Sequence, residues 1–515
     1  MLKRLPIGQQ DFENIIERNG IYADKTKIIY DLLETADCFF LSRPRRFGKS
    51  LLISVLKYLF EGRKELFAGL WIEDKIEWKK IPVVRIDMSA VDFYERTLSD
   101  GINFVLKSEA ERNNVVVSGD SNKEIFTNLI KTLYETTGEK VVVLVDEYDK
   151  PLVEYINEPE KAEENRLILR NFYGVLKPCS DKLRMVFITG ISRFSKLSIF
   201  SELNNLADIS MDEEFAAICG FTKDDLNNYF SEYKDLACEK LQLSLEELDR
   251  EITYWYDGYK FDGKTHIYNP FSMLNFFSKR EFKNYWFGSG LPKLLVDFIK
   301  EHGIDAKELE NTTVSDEVLN NFDVTKIDIK ALMFQTGYLT IAGKDKYGDY
   351  ILDYPNEEIR KSFYNFFLEQ YSDKDDYFLK KNKVNLLESL EKCDIDSFVS
   401  GVNALFASIP YILAGNANEN YYSSLIHVLL RTLGYMATSE LMSYHGRADA
   451  VIKTEDTIYI FEYKMAPHSA ADGMNQIKTN GYADEFASDP RKKVAVSLVI
   501  DKEKRQITEY LAEMF

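Results

Sequence analysis

Residues 38–57 read CFFLSRPRRFGKSLLISVLK and place three local patterns in succession. The apolar run at 38–42 predicts a buried β-strand, and the spacing of apolar residues at 51–57 predicts a helix. The loop between them, RPRRFGKS at 43–50, lies where backbone N–H groups and a helix N-terminus can face an anion. This stretch therefore predicts an anion-binding loop at the start of an α/β domain.

The end of the loop has the chemistry of a phosphate-binding loop. Gly48 allows an anion to approach the backbone closely, Lys49 can reach the β- and γ-phosphates of a nucleotide, and Ser50 can ligate Mg²⁺. Arg43 stands where such a loop usually begins with glycine. Because of that departure, the Gly-Lys-Ser triplet is a weak signal when taken alone.

A second apolar run ends in two acids and strengthens the prediction. Residues 141–147 read VVVLVDE, which predicts a strand followed by Asp146 and Glu147 at the sheet edge where nucleotides bind in open α/β sheets. Asp146 is predicted to hold Mg²⁺ through water, and Glu147 to orient or deprotonate the attacking water. An acidic pair after a strand otherwise caps a helix or lies in a surface turn. Its combination with Lys49 and Ser50 favours a nucleotide site.

Further apolar runs at 83–88, 185–189 and 207–210 alternate with helical patterns, which predicts a parallel sheet covered by helices. We expect the strand at 185–189 to lie between the phosphate strand and the acidic strand. Arg193 follows that strand and either offsets charge in the transition state or is an exposed loop cation. Arg45 and Arg46 either contact phosphate or face an acidic partner, and the sequence leaves both alternatives open.

Four segments together resemble the bacterial AAA-ATPase-like family: Gln10-Asp11-Phe12, Asp24-Lys25-Thr26, LSRPRRFGKS at 41–50 and VDEYDKP at 145–151. In that family the RPRRFGKS loop stands in for the ordinary Walker A motif, so Arg43 is a family trait. The resemblance covers about residues 1–280 and implies ATP binding and hydrolysis with Mg²⁺. The nucleotide-binding residues it implies are Arg43, Pro44, Arg45, Arg46, Phe47, Gly48, Lys49, Ser50 and Asp146.

The carboxyl-terminal part carries a second group of acids around a predicted hairpin. Asp449 precedes one apolar strand, and Glu462 and Lys464 lie in the next, TIYIFEYK at 457–464. Residues two apart in a strand share a face, so Glu462 and Lys464 point the same way and the hairpin can bring Asp449 beside them. Such a group can bind Mg²⁺ or Mn²⁺ and activate water for attack on a phosphodiester. The ordinary alternative is a solvent-facing hairpin in which Glu and Lys pair.

This carboxyl-terminal module resembles the PD-(D/E)xK nuclease domain that is commonly fused behind AAA-ATPase-like domains. By that likeness Asp449, Glu462 and Lys464 are the catalytic triad, and the two carboxylates are the metal ligands. The accessory candidates are Glu419, Glu440 and Gln476. A domain that cleaves nucleic acid and one that only binds it both remain open, as does a nucleotide-dependent scaffold or signalling ATPase.

Composition and charge exclude several classes of function. The chain has 515 residues, with 65 Lys and Arg against 84 Asp and Glu, a formal charge of −19, so it cannot be a general polyanion binder. DNA or RNA would have to approach a local basic surface, for which Arg447 and residues 491–493 are candidates. No apolar run is long enough to span a bilayer, which predicts a cytoplasmic protein, and the 5 scattered cysteines argue against a zinc site.

The predicted organisation has four parts. They are a P-loop domain at 1–214, a helical and aromatic subdomain of the ATPase at 215–301, a helical linker at 302–414 and a restriction-endonuclease-like α/β domain at 415–515. The oligomeric state, the choice between DNA and RNA, and the protein partners are left open.

Overall fold

The computed structural model describes residues 2–93, 95–155, 158–193, 199–200, 203, 205–286, 295, 298–299, 304, 306–320, 328–372, 376–407, 419–437 and 448–515. Within these ranges the side chains at 307, 320, 371–372, 376–379, 419–423, 434–437 and 485 are not described. The chain forms two compact units. Unit 1 consists of Met1–Trp286 and Thr313–Glu358, and unit 2 of Phe287–Thr312 and Ile359–Phe515.

The main sheet of unit 1 has five strands, β1 (Cys38–Ser42), β2 (Val83–Asp87), β3 (Val141–Asp146), β4 (Leu183–Gly190) and β5 (Ala207–Asp208). Helices α1 (Phe12–Glu17) and α2 (Thr26–Leu33) precede it. The helices between its strands are α3 (Lys49–Phe60), α4 (Leu98–Arg112), α5 (Asn122–Thr137), α6 (Lys150–Val153) and α7 (Pro159–Tyr173).

The predicted parallel sheet is confirmed. Its strand order is β2-β3-β4-β1-β5, and every neighbouring pair is parallel. β1 and β3 are buried along their whole length, as expected for strands with near-continuous Val, Leu and Phe that are covered on both faces. Strand β4 lies between the strand that leads into the loop and the strand that ends in acids. The carboxyl ends of these three strands therefore meet at one edge of the sheet.

A helical subdomain follows the sheet within unit 1. It contains α8 (Lys223–Tyr229), α9 (Ser231–Leu241), α10 (Leu245–Tyr256) and α11 (Pro270–Lys279). Two of these helices begin with a capping box, in which Thr222 pairs with Asp225 and Ser244 with Glu247. Phe230, Phe276 and Phe277 lie in its buried aromatic core.

The middle region is mainly helical and also contains short strands that the sequence analysis did not anticipate. Its elements are β6 (Thr312–Val314), α12 (Asp316–Asn320), α13 (Ile329–Thr336), β7 (Thr340–Lys344), β8 (Tyr350–Asp353), α14 (Glu357–Ser372), α15 (Asp376–Glu391) and α16 (Ile395–Ala407). Strands β7 and β8 form an antiparallel hairpin around the turn at 345–349.

A four-stranded mixed sheet forms the carboxyl-terminal part of unit 2. Its elements are α17 (Glu419–Ala437), β9 (Ala450–Lys453), β10 (Thr457–Met465), α18 (Ala470–Thr479), β11 (Lys492–Asp501) and β12 (Gln506–Met514). The strand order is β12-β11-β10-β9, with β10 and β11 parallel and the outer pairs antiparallel. None of the helices in the described part of the chain is long and apolar enough to cross a membrane.

Candidate functional site

The loop after β1 turns sharply into helix α3. Gly48 has φ +93°, a left-handed conformation that glycine adopts at no steric cost, and Lys49 is the first residue of the helix. The buried Lys49 ammonium donates hydrogen bonds to the backbone oxygens of Arg43 at 2.8 Å and Pro44 at 2.9 Å. Burial lowers the pKa of Lys49, whereas the negative charges of Asp146 and Glu147 act to raise it. The loop thus curls around a desolvated cation.

Arg43 supports the loop from the protein interior. Its guanidinium is buried and donates to the backbone oxygens of Ser42 at 2.9 Å and Ser210 at 2.6 Å. It also lies 4.2 Å from the ring centre of Phe261, and Phe47 packs edge-on against the same ring. The Arg43 side chain is thus held by these interior partners, whereas Phe47 contacts Phe261 and also lines the cavity described below.

The two central arginines of the loop have different surroundings. Arg46 has φ +66°, and its guanidinium stacks 3.9 Å from the ring centre of Phe271 on α11. The backbone oxygen of Arg45 accepts a hydrogen bond from Trp286 Nε1 at 3.0 Å. The loop is therefore tied to the helical subdomain on one side and to the end of the 281–286 segment on the other.

A cavity of about 310 Å³ opens over the loop. Its polar lining comes from the loop, from the acid after β3 and from Gln9, Gln10 and Lys25 in the amino-terminal segment. Its apolar lining comes from that segment, from α3 and from the helical subdomain. Among the described lining residues are Arg45, Arg46, Phe47, Gly48, Lys49, Ser50 and Glu147, together with Gly8, Gln9, Gln10, Ile21, Tyr22, Lys25, Phe221, Phe271 and Leu274. A lining with both charged and apolar side chains suits the two halves of a nucleoside phosphate.

The acids after β3 are held by β4. Asp146 is buried, and its Oδ1 accepts hydrogen bonds from Thr189 Oγ1 at 2.6 Å and from Glu147 N at 3.1 Å. Glu147 has a left-handed backbone with φ +52° and lines the cavity. Burial, and next the charge of Asp146, raise the pKa of the Glu147 carboxyl. Thr189, to which the sequence analysis gave no specific role, positions the acid that is the predicted metal ligand.

Asp149 is a buried acid that the sequence analysis quoted only as part of a motif. Its carboxylate accepts hydrogen bonds from Ser192 N at 2.7 Å and Ile191 N at 3.1 Å and fixes the turn after β4. Gly190, the last residue of β4, immediately precedes this turn, and a Cβ there would be 2.5 Å from the Tyr148 ring. The VDEYDKP run thus contains a structural acid and an aromatic ring besides Asp146, the predicted metal ligand, and Glu147, the predicted catalytic residue.

Arg193 is fully committed inside unit 1. Only 5% of the residue is exposed, so the alternative of an exposed loop cation is wrong. Its guanidinium pairs with Asp208 on β5 at 3.0 Å, and its backbone N donates to Gln335 Oε1 at 3.0 Å. Arg193 and Arg43 line a second, much smaller cavity of about 10 Å³ beside Gln335. The structure does not bring Arg193 into the large cavity with Lys49.

The hairpin of unit 2 brings the carboxyl-terminal candidates together. Asp449 and Glu462 are each 3% exposed, and Asp449 Oδ2 accepts a hydrogen bond from Tyr463 N at 2.9 Å. Lys464 Nζ donates to Glu462 Oε1 at 2.8 Å and to Gln476 Oε1 on α18 at 2.5 Å. The ordinary alternative of a solvent-facing hairpin is wrong, because both carboxylate residues are buried.

Close packing of α18 on the sheet maintains this arrangement. A Cβ at Gly473 would be 2.3 Å from Ser497 Oγ and 3.5 Å from Glu462 Cγ. Ser497 is the register partner of Glu462 on β11. Because glycine lets the helix lie this near, Gly473 sets the depth at which the Glu462 side chain is covered.

Several candidate residues of unit 2 contribute no described side chain. Glu440 and Arg447 lie outside the described residues, and only the backbone of Glu419 is described. Within the described part, no three His, Cys, Asp or Glu side chains gather as a metal site. Of the candidate basic run, Arg491 pairs with Asp489 at 2.6 Å and Lys493 also contacts Asp489, which leaves a weaker positive patch than the sequence indicated.

The parallel sheet, with its loop before α3 and acids after β3, defines the class of P-loop nucleoside triphosphatases. Two family models match the chain, one described as "Predicted AAA-ATPase" over residues 6–200 and one described as "PD-(D/E)XK nuclease superfamily" over residues 417–510. A protein of Azotobacter chroococcum mcd 1, known as an uncharacterized protein in the vnfD 5' region, is 36% identical over 523 residues, 99% of each chain. The chain belongs to this AAA-ATPase-like family, with a PD-(D/E)XK nuclease superfamily domain at its carboxyl end.

Proposed function

We propose that unit 1 binds and hydrolyses ATP with Mg²⁺. The observation that carries this proposal is the cavity of about 310 Å³ whose lining combines Gly48, Lys49 and Ser50 with Glu147. Its apolar lining residues, which include Tyr22 and Leu274, suit a base, and its charged lining residues suit phosphates. The residues fit Mg²⁺ as well, because Ser50 lies in the first turn of α3 and Asp146 ends strand β3 at the same edge of the sheet.

Each residue has a distinct part in this proposal. Bound Mg²⁺ would neutralise charge that develops on the phosphates. The Lys49 ammonium exchanges its backbone acceptors, the oxygens of Arg43 and Pro44, for phosphate oxygens. Glu147 positions a water and accepts its proton, and its raised pKa brings the carboxyl nearer the range of an effective general base.

Calorimetry with ATP tests the site. Lys49→Ala should abolish measurable binding, whereas Lys57→Ala, on the same helix but not among the cavity residues, should bind like the wild type. Glu147→Gln should keep ATP affinity and lose most turnover. Unchanged affinity in folded Lys49→Ala protein would reject the assignment.

For unit 2 we propose metal-dependent hydrolysis of nucleic-acid phosphodiesters. The supporting observation is that buried Asp449 and Glu462 lie in one hairpin, where half-buried Lys464 joins Glu462 to half-buried Gln476. Asp449 and Glu462 would hold Mg²⁺ or Mn²⁺, which would activate water, while the Lys464 ammonium stabilises the nucleophile or the developing charge. The alternative is a nucleotide-dependent scaffold whose nuclease fold binds nucleic acid without cutting it.

The full-length chain carrying Lys49→Ala isolates this second activity from the ATPase site. We expect Mn²⁺ or Mg²⁺ to support nicking of plasmid DNA or RNA, and Glu462→Gln to abolish it. Lys464→Ala should keep metal-dependent thermal stabilisation and lose cleavage, since it removes no metal ligand. If no metal ion in a screen raises the melting temperature and none supports cleavage, the scaffold that binds nucleic acid without cutting it is favoured.

A further inference from the structure

Lys25 lines the large cavity, although the roles proposed above do not use it. Its two neighbours in the chain explain why it is held there. Asp24 accepts hydrogen bonds from Thr26 N at 2.8 Å and from Trp71 N at 2.7 Å, and Thr26 Oγ1 accepts one from Ile72 N at 3.2 Å. Asp24 and Thr26 thus anchor the start of α2 to residues 71–72. Lys25, between the two anchors, remains directed to the cavity.

The Lys25 ammonium forms an ion pair with Asp225 at the start of α8, in which the side chains are only 10% and 12% exposed. Asp225 Oδ2 also accepts hydrogen bonds from Thr222 N at 2.7 Å and Thr222 Oγ1 at 2.9 Å. An ammonium has three donors, and among the described residues Asp225 is its hydrogen-bond acceptor. Donors of Lys25 are therefore available to a molecule in the cavity.

Lys25 shares the lining of the large cavity with Lys49 and with the thiol of Cys219. Burial raises the pKa of Cys219 to about 11, and the charges of Arg43, Lys49 and Lys25 oppose that rise. The two ammoniums consequently act on the same lining residue. Lys25 and Lys49 thus border the same cavity of about 310 Å³, where one bound molecule can meet both cations.

We propose that Lys25 is a second phosphate-binding cation of the nucleotide site, and that its pair with Asp225 connects the bound phosphate to helix α8. The inference rests on the proposed ATP site. The ammonium acts as a compact point charge that can keep Asp225 as one acceptor and take a phosphate oxygen as another. Because α8 begins the helical subdomain, an occupied site holds the first helix of that subdomain against the nucleotide.

Two substitutions of the pair test this role because they should act in opposite directions. Lys25→Met keeps the side-chain length but removes the charge, and should weaken ATP binding by about tenfold or more. Asp225→Asn keeps an acceptor for Thr222 and frees the cation from its counter-charge, so ATP should bind at least as tightly as in the wild type. Lys25→Arg should retain the wild-type affinity within about threefold.

The matched control is another buried pair of the same subdomain that does not line the cavity. Lys234 pairs with Asp249 at 2.7 Å, and Lys234→Met should leave ATP affinity unchanged. Calorimetry with ATP and, separately, with sodium tripolyphosphate shows which part of the nucleotide Lys25 contacts. Lys25→Met should weaken both probes by the same factor, and loss confined to ATP would overturn the phosphate role in favour of a ribose contact.

The outcomes separate this inference from the function on which it rests. If wild-type protein fails to bind ATP, or Lys49→Ala binds it normally, the ATP site itself is rejected. If Lys49→Ala loses binding while Lys25→Met binds normally, only the second cation is rejected. Equal weakening by Lys25→Met and Asp225→Asn in folded proteins would make the pair purely structural and would also overturn the inference.

Discussion

Glu358→Gln should make unit 1 more stable at alkaline pH. Glu358 is 1% exposed, and its Oε1 accepts hydrogen bonds from Tyr285 N at 2.5 Å and Trp286 N at 2.8 Å, while Oε2 accepts one from Ser272 Oγ at 2.6 Å. A glutamine can reproduce these bonds, since its amide oxygen accepts the two N–H groups and its NH₂ donates to the serine hydroxyl. The variant therefore removes a buried charge without removing its partners.

The magnitude follows from the pKa of this carboxyl, which burial raises from 4.5 to about 7. When the pKa of a carboxyl is higher in the folded than in the unfolded state, its stabilising effect is complete at pH values below the unfolded-state pKa. That effect is lost as the pH rises through the folded-state pKa. The wild type should thus lose up to about 3 kcal/mol from this group between pH 4.5 and 7, at 1.36 kcal/mol per pKa unit. The variant should not show that loss.

Urea unfolding followed by tryptophan fluorescence measures the effect in the intact chain. All 4 tryptophans lie in unit 1, so the signal reports that unit. We expect wild type and variant to agree within about 1 kcal/mol at pH 5, and the variant to be more stable by about 2–3 kcal/mol at pH 8. The control Glu246→Gln replaces an exposed carboxylate and should change neither value. A difference independent of pH, or a variant less stable at pH 8, would refute the reasoning.

Three further predictions concern the two sites. Asp146→Asn should raise the Mg²⁺ concentration needed for ATP turnover, and superimposable Mg²⁺ titrations would mean that the acid only caps the strand. Gly190→Ala should destabilise unit 1 by about 1–3 kcal/mol in the same urea assay, because its Cβ would lie 2.5 Å from the Tyr148 ring. Gly473→Ala, made in the Lys49→Ala protein, should displace Glu462 and reduce the rise in melting temperature that Mn²⁺ produces. An undiminished rise would mean that metal binding does not depend on the close packing of α18.

The sequence alone predicted those elements that a short stretch of neighbouring residues specifies. The runs at 38–42 and 141–146 are so rich in Val, Leu and Phe that strands buried on both faces were the natural interpretation, and the structure has them at those residues. Lys49 and Glu147 could be selected because a Gly-Lys-Ser turn and an acid after a buried strand each have a distinctive composition. The Glu462 and Lys464 spacing likewise follows from the two-residue period of a strand.

The tertiary structure decided what depends on partners distant in the chain. The family resemblance placed Arg43 in the nucleotide-binding loop, but only the structure shows that the Ser210 oxygen and the Phe261 ring contact its guanidinium. Lys25 meets an acid 200 residues away, and no periodicity relates such positions. Burial is a property of the packed molecule, so the raised pKa of Glu358 emerges only when the segments at 272, 285–286 and 358 come together and exclude water.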